Sequence, residues 1–258
     1  MVKNKNIIPE CYQELGSIAV IVPAYNEEAA ISSLLDELNE HVPFLDVIVV
    51  NDGSVDNTAA LARMKGAVVL DLPCNLGVGG AVQVGLKYAL EKDYQFVVRI
   101  DGDGQHPPSE IPKLIDAIKT GEADLIIGSR FIAVKSYAST PLRLIGVKLL
   151  SVFLSIICRS RITDPTSGFW LINHKLLYYF AHEYPTEYPE PEAIALLRRH
   201  GFSYHEVPVV FLPRTTGRSS IQIWGTFYYA VKVGLALLVD RIRPINPRFE
   251  RGKVKDIQ

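Results

Sequence analysis

Cysteine is scarce in this chain: Cys11, Cys74 and Cys158 are its only three, none forms a CxxC pair, and no histidine cluster stands beside them. That excludes a structural zinc site and a disulfide-stapled scaffold, and it suits a reducing compartment. A basic surplus is also lacking. Lysine and arginine number 27 against 28 acidic residues. A protein that binds nucleic acid needs a positive excess to displace counterions from phosphate, so no nucleic-acid partner is expected. The chain has no uninterrupted apolar run of the ~20 residues that a membrane span requires. Its nearest candidate, residues 142–158, is broken by Arg143 and Lys148. No apolar segment follows the lysines of the N-terminal MVKNKNIIPECYQELG, so no secretory signal is expected and the protein is placed in the cytosol. Repeats, low-complexity tracts and a clear linker are missing too. With 258 residues, 48% of them apolar and 21% charged, the composition fits one large α/β domain, with or without an appendage.

What is present begins with alternation. Between residues 17 and 128 the runs SIAVIVPAY, DVIVVND, AVVLDL, QFVVRID and ADLIIGS alternate with helical stretches. Each run is almost continuously apolar, as a strand in a parallel sheet covered on both faces should be. Ile31, Leu34, Leu35, Leu38 and Val42 form one apolar helix face, with Asn26 as the expected N-cap and Glu27 and Glu28 as first-turn acids. The pattern predicts a doubly wound, mostly parallel sheet with helices on both faces, whose ligands gather at the carboxyl ends of the strands. Four polar or glycine-rich segments fall there: 23–27, 51–56, 71–80 and 101–106. Any one of them alone would be an ordinary turn; their coincidence at one sheet edge points to a site.

The second half differs in character. Residues 142–158 predict an apolar helix, and SGFWLIN and HEVPVVFLP read as strands flanking a helix near residues 193–200 that Gly201 ends. In IQIWGTFYYAVKVGLALLVD, Ile221, Trp224, Tyr228, Val231, Leu235 and Leu238 keep helical spacing, and the opposite face is apolar as well. Such a helix is buried, paired or against lipid. Six basic residues from Arg241 to Lys255 follow it, a tail suited to an anionic membrane surface or to a solvated end. The organisation expected is a domain over 1–222 and a C-terminal apolar helix with a basic tail over 223–258.

Asp101-Gly102-Asp103 directly follows the run QFVVRI. Two carboxylates so spaced can converge on magnesium or manganese, which accept one or two carboxylates and leave the other positions to water and substrate phosphates. A calcium EF-hand would need Gly at the sixth loop position and Glu at the twelfth; these are His106 and Pro112. The glycine-rich Asn75-Leu-Gly77-Val-Gly79-Gly80-Ala81 departs from a dinucleotide fingerprint at Val82 and lacks its downstream acid, so its glycines are expected to let a helix pack close to the sheet.

Taken together, PAYNEE, NDGSVDNT, NLGVGGAVQVG, DGDGQHPP, GSR, DPTSGF and RTTGRSS, spread over about residues 17–222, resemble the family 2 glycosyltransferases of the GT-A fold. Within that family the pattern is similar to dolichyl-phosphate mannose synthases and bacterial polyprenyl-phosphate transferases. The resemblance implies a metal-dependent, inverting transfer of sugar from a nucleotide diphosphate to a polyprenyl phosphate at the cytosolic membrane face, with Mg2+ or Mn2+ as cofactor. It implies that Pro23, Tyr25, Glu27, Asp52 and Gly77 line the nucleotide pocket, with Asn51 in place of the more usual first aspartate. Asp101, Asp103 and Gln105 then form the metal and diphosphate motif. Arg130 and Arg143 meet the lipid phosphate, and Arg214 steadies the leaving diphosphate. The chemistry agrees, because an arginine fork and a divalent ion both offset charge on phosphate oxygens. A small membrane protein or a second copy of the chain is a further possible partner.

Two alternatives follow. If the acceptor is a sugar hydroxyl of a polysaccharide or glycolipid, Glu190 or Glu192 in TEYPEPE is the candidate base, whereas a lipid phosphate is already an anion and needs none. Otherwise these glutamates form the acidic first turn of a helix. The second alternative is a non-catalytic nucleotide-sugar-binding subunit of a membrane complex. His106 is expected near the diphosphate; His41, His174, His182, His200 and His205 show no ligand spacing and are taken as structural.

Overall fold

The computed structural model describes residues 8–132, 141–213 and 232–235, and of 141–143 only the helical backbone. After a 3-10 turn at Glu10–Leu15 come β1 (Ile18–Ala24), α1 (Glu28–His41), β2 (Asp46–Asn51), α2 (Thr58–Met64), β3 (Val68–Asp71), α3 (Gly77–Glu91) and β4 (Phe96–Arg99). A short 3-10 turn leads to α4 (Ile111–Ile118) and β5 (Leu125–Ser129), then α5 (Pro141–Cys158), β6 (Trp170–Asn173), α6 (His174–His182), α7 (Pro189–Arg199) and β7 (Tyr204–Pro208). Among the described residues the seven strands form one sheet in the order β3-β2-β1-β4-β6-β5-β7. All pairings are parallel except those of β6, which runs antiparallel to both β4 and β5.

The expected doubly wound sheet is present because β1 is buried on both faces. Its Ala19 and Ile21 join the core under α3, α5, α6 and α7, while Val20 and Val22 join the core under α1, α2 and α4. This is the period-2 alternation of a strand. The glycines of α3 do what their spacing suggests: a Cβ on Gly85 would come within 2.6 Å of Ile21 Cγ2. Three details differ from expectation. Two helices, α6 and α7, separate β6 from β7 where one was expected, and α7 begins at Pro189, which proline favours at a first helical position. β3 is the edge strand and partly exposed rather than covered on both faces. Asn26 does not cap α1; it adopts φ 54°. Instead Asp56 Oδ2 accepts the Glu28 N–H at 3.1 Å and Thr58 Oγ1 the Glu27 N–H at 2.8 Å, so the β2–α2 loop caps α1 from outside.

The C-terminal helix expected over 221–240 lies outside the described residues except for 232–235, which is helical and brings Val233 into the core, with Phe153 of α5 3.8 Å from where a Cβ on Gly234 would stand. The basic tail, the proposed boundary at 222/223 and Arg214 lie outside them as well. Among the described residues no helix is long and apolar enough to cross a membrane.

Candidate active site

The strand order reverses between β1 and β4, so the crevice at their carboxyl ends is where an α/β sheet offers a ligand site. Four expected segments meet there. Asp52 donates its N–H to the Ala24 carbonyl at 2.9 Å, and its buried carboxylate accepts the Leu76 N–H at 2.7 Å, tying the ends of β1, β2 and the start of α3 together. Asn51 donates its amide to Asp71 at 2.9 Å and accepts from Ser54 N–H at 3.2 Å. That pair explains an amide there, since an aspartate would set two carboxylates face to face. Asp71 also pairs with Arg63, and these two donors hold its carboxyl below the usual carboxylate range. Pro23 is buried in β1, whereas Tyr25 is 47% exposed and Glu27 half-buried at the mouth. Gly77 opens α3 at φ +78°, with open space where a side chain would stand.

The Asp101–Gln105 turn is built to present carboxylates. Gly104 takes φ +75°, and the Gln105 N–H donates to Asp103 Oδ1 at 3.0 Å. The Gln105 side-chain amide donates to the Leu212 carbonyl at 3.4 Å, so it braces the strand extension beyond β7. His106 is buried between Phe169 and Phe211, and its Nδ1 accepts the Asp101 N–H at 2.9 Å. That bond leaves any ring proton on Nε2, and burial pushes the imidazole down to about 4, so it stands neutral. His106 thus supports the turn from behind, with Nε2 at 3.9 Å from Asp101 Oδ2.

Arg99, the last residue of β4, was not among the expected site residues; the signal for it is a lone cation ending an apolar run two residues before a carboxylate. It is 1% exposed, and its Nη2 donates to Asp101 at 3.0 Å and to Glu190 at 2.8 Å. Its Nη1 reaches the Tyr184 hydroxyl at 3.4 Å. Burial alone would lower its pKa, but the carboxylates of Asp101 and Glu190 raise it above its ordinary value. Asp101 is affected in the opposite sense: burial would raise its carboxyl, and Arg99 first among its neighbours holds it below the ordinary value. Gly168 packs against this pair so closely that a Cβ would stand 2.8 Å from Asp101 Oδ2.

At the far side of the crevice Arg130 is 6% exposed and clasps Asp164, with Nε at 2.6 Å and Nη2 at 2.5 Å, and reaches Thr166 Oγ1 at 2.7 Å. The GSR and DPTSGF motifs are therefore one unit. Beyond them lies a cleft of about 840 Å³ between α5 and residues 159–163, lined by Phe131 and carrying Lys148, Arg159 and Arg161. The Arg143 side chain lies outside the described residues. Glu190 and Glu192 both lie in the first turn of α7, as the structural alternative expects.

The residues present fit a divalent ion of the hard, oxygen-binding kind. Asp101 and Asp103 are oxygen donors on one tight turn, and the glycine at 168 leaves the Asp101 carboxylate its room. Among the described residues no group of three or more His, Cys, Asp or Glu side chains forms a ready-made cage.

An α/β sheet with a carboxylate turn at its reversal point offers a place for a ligand and a divalent ion. The chain belongs to glycosyl transferase family 2, whose family model matches residues 19–180. It is 29% identical to the polyprenol monophosphomannose synthase of Mycolicibacterium smegmatis, over 88% of this chain and 90% of that one. It is 30% identical to the undecaprenyl-phosphate mannosyltransferase of Micrococcus luteus, over 80% of this chain and 87% of the relative. In fold it is similar to glucosyl-3-phosphoglycerate synthase from Mycobacterium tuberculosis, solved with Mn2+, UDP and phosphoglyceric acid, with a TM-score of 0.68, 23% identity and coverage of 90% and 80% of the two chains. The protein is a glycosyltransferase of GT-A architecture.

Proposed function

We propose that the protein transfers a sugar from a nucleoside diphosphate to a polyprenyl phosphate, with inversion at the anomeric carbon, while resting on the cytosolic face of a membrane. The observation that carries this reading is the exposed apolar stripe of α5. Ile145, Leu149, Val152 and Ile156, spaced as one helix face, are 56%, 64%, 52% and 71% exposed beside the cleft that borders the Arg130–Asp164 unit. An apolar stripe next to cationic residues suits a prenyl chain that carries a phosphate. The names of the polyprenol and undecaprenyl-phosphate relatives support the same acceptor class.

In this reading Tyr25, Glu27 and Asp52 line the nucleotide pocket with Pro23 and Gly77, and Asp101 and Asp103 hold Mg2+ or Mn2+, with Gln105 bracing their turn. A divalent ion bound there offsets the charge that develops on the departing diphosphate. Arg214 acts on the same leaving group. Arg130, its plane fixed by Asp164, meets the acceptor phosphate with Arg143. Asp164 neutralises much of the Arg130 charge, so Lys148, Arg159 and Arg161 add to the attraction for the lipid anion. The acceptor is an anion before it reacts, so one direct displacement needs no general base. Of the two candidate bases in the hydroxyl-acceptor alternative, Glu190 already has one oxygen engaged by the Arg99 guanidinium.

The test supplies GDP- and UDP-sugars with short-chain polyprenyl phosphate and follows nucleoside diphosphate release with Mn2+, with Mg2+ and with chelator. Release that needs both lipid phosphate and metal, with an inverted anomer by NMR, is expected. Release that proceeds with a sugar hydroxyl and ignores the lipid phosphate would refute it.

A further inference from the structure

A buried guanidinium beside a cation site is an electrostatic problem. Arg99 contacts Asp101 Oδ1 at 3.0 Å, so it draws on the carboxylate meant for the ion and repels the ion as well. The remedy in this structure comes from a distant part of the chain: the first turn of α7 sets Glu190 Oε1 2.8 Å from the same Nη2. Glu190 thus offsets the Arg99 guanidinium, which would otherwise set its whole charge against Asp101 and the ion. Without Glu190 the site is one negative charge poorer. The segment that delivers Glu190 is itself anchored, since its Pro185 and Thr186 lie so close over α3 that a Cβ on Gly79 would meet them at 2.7 Å.

We propose that Glu190 is a positioning residue for the divalent ion: by offsetting Arg99 it restores the anionic field at Asp101 and Asp103. Arg99 in turn ties the first turn of α7 to the carboxylate turn, so the wall over α3 and the ion site are set by one shared side chain. This inference deepens the metal-dependent reading above and rests on it.

The test measures Mn2+ binding rather than turnover, by titrating Mn2+ in the presence of saturating UDP and following free Mn2+ by electron paramagnetic resonance. Glu190→Gln keeps the shape and removes the charge; Mn2+ affinity is expected to fall about tenfold or more, as loss of an outer-sphere partner commonly does. UDP affinity without metal is expected to stay unchanged. Adding Arg99→Met to Glu190→Gln removes one positive charge for the negative one lost, and affinity is expected to recover to within about threefold of the unaltered protein, because the long-range field is restored. Should Glu190→Gln not fold, Arg99→Met alone, which keeps the Glu190 charge, is expected to bind Mn2+ more tightly than the double variant. Equal or weaker binding there overturns the inference.

Glu190→Gln with unchanged Mn2+ affinity overturns it too: a collapse of turnover would then make Glu190 a base, and unchanged turnover a packing residue. Weak binding that Arg99→Met does not rescue assigns Glu190 to shape rather than charge, and likewise overturns it. If the unaltered protein shows no Mn2+-dependent UDP binding, the metal-dependent reading itself falls.

Discussion

The buried pair Arg130–Asp164 shows how two separate motifs become one wall. Asp164 is fully buried, and its backbone N–H donates to Glu206 at 2.9 Å, which holds the residue in place against Arg130. The other face of the guanidinium lies 4.8 Å from the Phe211 ring centroid. Removing one member leaves a charge with neither water nor its main partner, which costs about 3 to 5 kcal/mol. Asp164→Asn is therefore expected to lower the unfolding free energy in urea by about 3 kcal/mol. An unchanged midpoint and slope would mean that the guanidinium finds an equivalent counter-ion. The motif around Asp164 is visible in the sequence, but its pairing is not, because 34 residues separate the partners and only the adjacency of β5 to the 163–169 segment joins them.

At the scale of an element, α5 has two unlike faces. Leu150, Leu154 and Cys158 are buried in the core, while Ile145, Leu149, Val152 and Ile156 face outward. Its apolar character is legible from composition; which face is left uncovered depends on where α7 packs against it. Leu149→Ser with Ile156→Ser is expected to leave stability within about 0.5 kcal/mol, as changes at exposed positions usually do. The same variant is expected to bind anionic vesicles carrying polyprenyl phosphate about tenfold or more weakly in sedimentation, since two apolar side chains no longer leave water. Vesicle binding equal to that of the unaltered protein would remove this face from the acceptor reading. α3 presents the converse case. Its glycines are present for contact, and Gly85 against Ile21 and Gly79 against Thr186 leave no room for a methyl group.

For the whole molecule, Asp124 is the knot at the opposite end of the sheet from the site. Its carboxylate accepts the Ser203 N–H at 2.9 Å, the Asn173 amide at 3.0 Å and Lys175 at 3.3 Å, joining the starts of β5, β7 and α6. Burial would raise its carboxyl, but these donors outweigh burial and hold it below the ordinary value. A carboxyl depressed in the folded state contributes stability above its unfolded value and loses it as pH falls through the folded value. Asp124→Asn is thus expected to destabilise the protein at neutral pH, with the difference shrinking as pH drops below about 4. Urea titrations at pH 7 and pH 3 check this; a penalty of the same size at both would show that the ionised form is not what stabilises.

The sequence alone determined the alternation of apolar strands and amphipathic helices, and with it the sheet edge where Pro23, Asp52, Gly77 and Asp101 meet, because period and turn chemistry are local properties. The Asp101–Asp103 pair was equally legible, being three consecutive residues. Only the tertiary structure decided that β6 inserts antiparallel between β4 and β5, since a four-residue apolar run is compatible with either direction. It also decided that the β2–α2 loop, not Asn26, caps α1, and that Arg99 faces Glu190 across 91 positions of chain. The physical reason is shared by all three. Each depends on a contact between residues far apart in the chain, whose energy exists only after the sheet has brought them together.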